Sequence, residues 1–165
     1  MHTYDASSFL HAWNNYPIEH FPPLWEWIGE QISEGLFTIP NVAFEEVDRK
    51  SQECGQWLKD QEIDRLSLTN EIIQQAVRIK HLLGISDDNY HPKGVGENDL
   101  FIIATAKLNG CVLVSDEAVQ IRIPDMLAKC RIPAVCRMPE VNVKCVPFID
   151  VIRQSDAVFS KQRQP

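Results

Sequence analysis

Hydrophobic residues along this chain follow two rhythms, and the switches between them mark out its elements. Thr3-Tyr4 and their neighbours read as a brief strand that runs straight into Asp5. Helical spacing then predicts a helix from about Ser8 to Asn15, with Ser7 or Ser8 as its N-cap and Tyr16-Pro17 as its end. A second helix is predicted from Pro22 to Ser33, since proline suits a first turn and Gly35 suits the exit. Leu36 to Ile39 is extended, as the residue before Pro40 should be.

Asn41 is placed to cap a long helix reaching Lys59, whose apolar positions Ala43, Phe44, Val47, Cys54 and Leu58 share one face. Ile63 to Leu68 alternates and predicts a strand, and Glu71 to Leu83 predicts a helix closed by Gly84. Residues 85–97 form a loop with no core pattern, long enough to be functional. Asp99 to Leu108 is apolar on nearly all sides and predicts a buried helix, ended by Asn109-Gly110. Cys111 to Val114 is a continuous apolar strand of the parallel-sheet kind. Beyond it come a short helix from Pro124 to Lys129, edge strands at Ala134–Cys136 and Val143–Val146, and a last helical turn from Phe148 to Arg153. Alternating strands and helices predict one α/β domain over residues 1–165, a three-layer α/β/α sandwich with a mostly parallel central sheet.

Composition changes this picture little. No apolar run approaches the length of a bilayer span, and the start lacks a signal-peptide pattern, so a cytoplasmic protein without a membrane partner is expected. Five cysteines without a Cys-x-x-Cys argue against a disulfide framework or a zinc knuckle. The net charge of −7 is unevenly spread. Residues 1–117 carry 8 Lys/Arg against 19 Asp/Glu, whereas residues 118–165 carry 8 against 4. The basic tail (Arg122, Lys129, Arg131, Arg137, Lys144, Arg153) could hold phosphates, although charge alone favours a solvated surface.

The acids carry the candidate chemistry. Asp5 and the pair Asp116-Glu117 directly follow strands, and in an open parallel sheet ligands gather at the carboxyl ends of strands. Asp99 lies at a helix start, and Glu46 lies one turn into a helix, nearer the apolar face than Glu45. Two carboxylates at about 4 Å repel by roughly 4 kcal/mol at an effective dielectric of 20, so a cluster calls for a cation or for protons. An all-oxygen site suits Mg²⁺ or Mn²⁺ better than Zn²⁺. Taken singly, each acid has a plainer role as a turn former, an N-cap or a first-turn acid.

Taken together, the motifs resemble those of the PIN-domain nucleases, above all the bacterial toxin-like branch. Tyr4-Asp5-Ala6-Ser7-Ser8-Phe9 is similar to that family's first strand with its Asp and following Ser. Val42-Ala43-Phe44-Glu45-Glu46-Val47 is similar to its helix ending in Glu and an aliphatic residue. Asp99-Leu100-Phe101-Ile102-Ile103-Ala104-Thr105-Ala106 and Val112-Leu113-Val114-Ser115-Asp116-Glu117 match its later helix and strand motifs. The alignment puts Ser115 at the Thr/Ser position and Glu117 at the fourth acid, where Asp is usual, so Asp116 against Glu117 stays open.

The resemblance implies a PIN-like fold and a metal-dependent endoribonuclease. Asp5, Glu46, Asp99 and Glu117 would be catalytic, Asp116 a further candidate metal ligand, and Ser7 and Ser115 supporting. It also implies an RNA substrate, a cognate antitoxin and a possible homodimer, with products bearing 5′-phosphate and 3′-hydroxyl ends. The alternative is an inactive PIN-like module that binds RNA or a protein. A haloacid-dehalogenase-like phosphatase would need a second Asp at position 7, which is Ser7, and no P-loop is present. The aromatic-rich start (Trp13, Tyr16, Phe21, Trp25, Trp27) reads as two packed amphipathic helices, with a partner interface as the second option.

Overall fold

The computed structural model describes residues 1–159. The C-terminal end of the expected domain, with Lys161 and Arg163, lies outside the described residues. Five strands form one sheet: β1 (His2–Tyr4), β2 (Phe37–Pro40), β3 (Asp64–Leu66), β4 (Val112–Val114) and β5 (Cys145–Val146). They lie in the order β3-β2-β1-β4-β5, and every neighbouring pair is parallel. Parallel neighbours need crossover connections. Here these contain α1 (Ala6–Asn15), α2 (Pro22–Ser33), α3 (Asn41–Lys50), α4 (Gln52–Asp60), α5 (Asn70–Leu82), α6 (Glu97–Leu108) and α7 (Ile132–Cys136). The last helix is α8 (Phe148–Gln154). The helices flank the sheet, as the α/β sandwich reading requires.

The strand order reverses at β1. The chain first builds outward through β2 and β3, then returns to place β4 on the other side of β1. Tyr4 pairs with Val114 in register, and the Asp5 N–H donates to the Val114 carbonyl at 3.0 Å. The residues that follow these two strands, Asp5 and Ser115-Asp116-Glu117, therefore emerge side by side at the switch point, where ligands bind in such sheets.

Burial explains why these elements form. Tyr4, Ile39, Leu113 and Val114 are fully buried in the strands, and α6 buries Ile102, Ile103, Ala104 and Ala106, in keeping with its apolar circumference. The expected pairing of the first two helices takes the form of a tryptophan cluster. Trp13 of α1 lies 5.1 Å from Trp25 of α2, and Trp25 lies 4.8 Å from Trp57 of α4, each edge to face. Such geometry adds to the large apolar area these rings bury.

Four local readings need correction. The helix expected to run from Asn41 to Lys59 is broken at Ser51, whose extended backbone ends α3 and whose Oγ accepts from the Cys54 N–H to start α4. Ala134–Cys136 is not an edge strand but part of α7, which Pro133 opens in its first turn. The helix expected from Pro124 to Lys129 shrinks to a 3₁₀ turn over Leu127–Lys129. The first helix also starts earlier than expected: Asp5, not Ser7 or Ser8, is its N-cap.

Candidate metal centre

Asp5 is the most completely held side chain of the site. As N-cap of α1 it accepts from the Ser8 N–H at 2.9 Å. Ser7 Oγ stands 2.8 and 2.9 Å from its two oxygens, and Ser115 Oγ, at the end of β4, donates to Oδ2 at 2.6 Å. Ser8 Oγ lies 2.6 Å from Asp5 Oδ1 and also 2.6 Å from the Val114 carbonyl. A hydroxyl has one proton to donate. The one Ser8 proton is shared between these two acceptors. Burial raises the Asp5 pKa, against the lowering effect of its hydrogen bonds.

Asp99 sits not at the N-cap of α6 but two residues inside the helix start. Gly96 caps the helix, and its N–H donates to Asp99 Oδ2 at 2.7 Å. The helix dipole favours a negative charge there. Burial nevertheless pushes the Asp99 pKa up to about 6, and the nearby charges of Asp5 and Glu46 push in the same direction. Glu46 is half-buried on α3 while Glu45 is exposed, as the helical angle predicted. Its Oε1 accepts from the ammonium of Lys50, one turn on.

The Asp116-Glu117 pair divides. Asp116 Oδ1 accepts from the Phe148 N–H at the start of α8, at 3.3 Å, while Oδ2 is buried without a hydrogen-bond partner. Glu117 Oε2 accepts from the Ile132 N–H at the start of α7, at 3.0 Å. Burial raises both pKa values. Asp5 acts on both acids, and Asp99 is among the charges acting on Glu117. Ser7 and Ser115 link this pair to Asp5. Ser7 Oγ accepts from the Asp116 N–H at 3.3 Å, and Ser115 Oγ from the Glu117 N–H at 3.4 Å.

Thus Asp5, Glu46, Asp99 and Glu117 come from four separate segments, with Asp5 and Glu46 acting on Asp99, and Asp5 and Asp99 on Glu117. Among the described residues, no three His, Cys, Asp or Glu side chains close into a ready ligand cage. Mg²⁺ keeps several waters and is commonly held by only one or two carboxylates, so a spread set of oxygens still fits it. The donors fit in kind as well: carboxylates backed by hydroxyls make a hard, oxygen-only set. Residues that sequence reasoning did not assign to the site also enter it. Ser8 had been considered only as a cap, and Lys50 was signalled only by its position four residues after Glu46.

His81 and Lys93 are exposed, and the half-buried His91 accepts from the Lys93 N–H through Nδ1 at 3.1 Å. In the basic C-terminal segment, Arg153 pairs with Asp150 at 3.1 Å and Arg137 donates to the Gln120 carbonyl. A cavity of about 880 Å³ is lined by Tyr16, Phe21, Leu24, Ile149 and other residues between the α1–α2 connection and α8; none of the candidate acids lines it. Among the described residues no helix is long and apolar enough to cross a membrane.

The sheet order, the crossover helices and the acids at the switch point define a PIN-like α/β fold. The chain is similar in structure to a chain of VapBC2 from Rickettsia felis, solved as a crystal structure bound to a DNA fragment from their promoter. That match has a TM-score of 0.51 and 16% identity, covering 89% of this chain and 98% of the other. Among curated proteins none matches the sequence. By sequence the chain belongs to the family described as "Domain of unknown function (DUF4411)", whose model matches residues 2–159.

Proposed function

We propose that this protein is a divalent-metal-dependent endoribonuclease that hydrolyses RNA phosphodiester bonds as the toxin of a toxin–antitoxin pair. The observation that carries the reading is a chain of charge effects between separate segments: Asp5 and Glu46 act on Asp99, and Asp5 and Asp99 act on Glu117. Acids under such opposition call for protons or a cation, and a cation offsets the cost while leaving them ionised. The PIN-like motifs and the fold shared with a VapBC2 chain support the choice of reaction and the antitoxin partner; RNA as substrate rests on the motif resemblance.

In this reading Asp5, Glu46, Asp99 and Glu117 hold Mg²⁺ or Mn²⁺, with Asp116 beside them as a further ligand candidate. The bound cation supplies an activated water and charge stabilisation on the phosphoryl oxygens. The chain's own residues prepare the site for it. Ser115 and Ser7 fix the rotamer of Asp5, so its oxygens face one direction. The Gly96 and Ile132 N–H groups each hold one oxygen of Asp99 and Glu117, leaving the second oxygen of each as a ligand. Asp116, tied to Phe148, fixes the start of α8 against the end of β4.

Cleavage of single-stranded and structured RNAs with Mg²⁺, with Mn²⁺ and with EDTA tests the proposal, beside Asp5→Asn and Asp99→Asn. Cation-dependent cleavage lost in both folded variants is expected; equal activity in EDTA contradicts it. The lack of a closed three-acid cage favours a second reading, an inactive PIN-like module that binds RNA or a protein. Mn²⁺ binding without cleavage of any RNA would select that reading.

A further inference from the structure

Lys50 holds a place in the acid site that a plain surface ion pair would not. It lies in the last turn of α3, and its ammonium donates to Glu46 Oε1. Its charge also reaches across to α6, where it is among the groups acting on Asp99. Its side chain is 54% exposed and that of Glu46 is 23% exposed, so an exposed stem carries the ammonium onto the less exposed carboxylate. The next cation along the helix, Arg49, is exposed and makes no ion pair among the described residues. An ammonium paired with Glu46 and acting on Asp99 supplies positive charge where a divalent cation's charge would act.

We propose that Lys50 is the site's built-in counter-ion: it balances the Glu46–Asp99 edge, yields Glu46 to an arriving divalent cation, and then contacts the non-bridging oxygens of the RNA phosphate held beside that cation. The proposal rests on the nuclease reading above. It follows from charge: an ammonium on Glu46 Oε1 repels a divalent cation arriving at the same carboxylate, even one that takes the second oxygen. Once released, the ammonium stays tethered at the rim by its four-carbon stem, within the zone where a substrate phosphate must approach the acids. Lysine suits this task, being a mobile point charge rather than a rigid fork.

Two measurements on the full chain test it. Calorimetric titration of RNA-free protein with Mn²⁺ should show several-fold tighter binding by Lys50→Gln than by wild type, with Lys50→Arg and Arg49→Gln close to wild type. Steady-state cleavage at saturating Mn²⁺ should show a KM raised about tenfold in Lys50→Gln, the loss expected for one charge-assisted hydrogen bond, with a smaller fall in kcat and recovery in Lys50→Arg. Unchanged or weaker Mn²⁺ binding by Lys50→Gln, or an unchanged KM, overturns the role of Lys50. If wild type binds Mn²⁺ and cleaves RNA all the same, the nuclease reading stands without it. If wild type binds no Mn²⁺, both fall together.

Discussion

Replacing Asp99 by Asn should make the protein more stable at neutral pH. Asp99 ionises in the fold only near pH 6 instead of 3.8, chiefly because it is buried. Ionising it at pH 7.5 therefore costs the folded state about 3 kcal/mol more than the unfolded chain, at roughly 1.4 kcal/mol for each pH unit. The folded state retains its proton to higher pH than the unfolded state, so wild-type stability should fall as pH rises from about 4 to about 6, and stay low above that. Asn keeps an oxygen for the Gly96 N–H and carries no charge. In EDTA at pH 7.5, Asp99→Asn should gain about 3 kcal/mol, roughly 6–12 °C in Tm for a chain of this size. Near pH 4, where Asp99 is protonated in the fold and partly protonated in the unfolded chain, the gain should shrink to about 0.6 kcal/mol. Urea denaturation of both proteins at the two pH values measures this. A destabilised Asp99→Asn at pH 7.5, or a gain as large at pH 4 as at pH 7.5, would refute the reasoning.

Further outcomes follow from the same contacts. Mg²⁺ at about a hundred times its Kd should stabilise wild type by about 2.7 kcal/mol and Asp99→Asn by less, read as Tm against Mg²⁺ concentration. Ser115→Ala removes the donor to the buried Asp5 Oδ2 and the acceptor of the Glu117 N–H, and should cost about 1–3 kcal/mol in urea. Gly94→Ala would place a Cβ 1.9 Å from the Ala128 carbonyl. Urea denaturation should show a cost of about 1–3 kcal/mol, and the loop leading to Gly96 and Asp99 must shift. Trp25→Ala opens the tryptophan cluster and should cost about 3–5 kcal/mol while leaving the acids in place, checked by denaturation and by Mn²⁺ titration of the folded variant.

Much of this architecture could be read from the residues alone because burial and periodicity agree in most elements. The apolar run ending in Val114 had to be an inner strand, and α6 had to be surrounded, since neither has a polar face. The break at Ser51 was hidden because Val47, Cys54 and Leu58 keep one apolar face across it. Ala134–Cys136 is too short for periodicity to separate helix from strand, and only Pro133 marked the helix. At the site, the order of the acids showed that they could meet, and the angle along α3 chose Glu46 over Glu45. What the chain could not reveal was the division of labour between Asp116 and Glu117. That depends on the starts of α7 and α8, which offer the Ile132 and Phe148 N–H groups from distant segments. Lys50 was equally hidden, because an i,i+4 Glu–Lys pair looks the same on any solvated helix.

Where a divalent cation binds decides whether these acids form a metal centre. Crystals of the wild-type protein soaked in Mn²⁺ and measured for anomalous scattering should show a peak at the carboxyl ends of β1 and β4, within coordinating distance of Asp5 and at least one of Glu46, Asp99 and Glu117. A fully occupied Mn²⁺ peak elsewhere on the molecule, with these acids making no contact to metal, would contradict it.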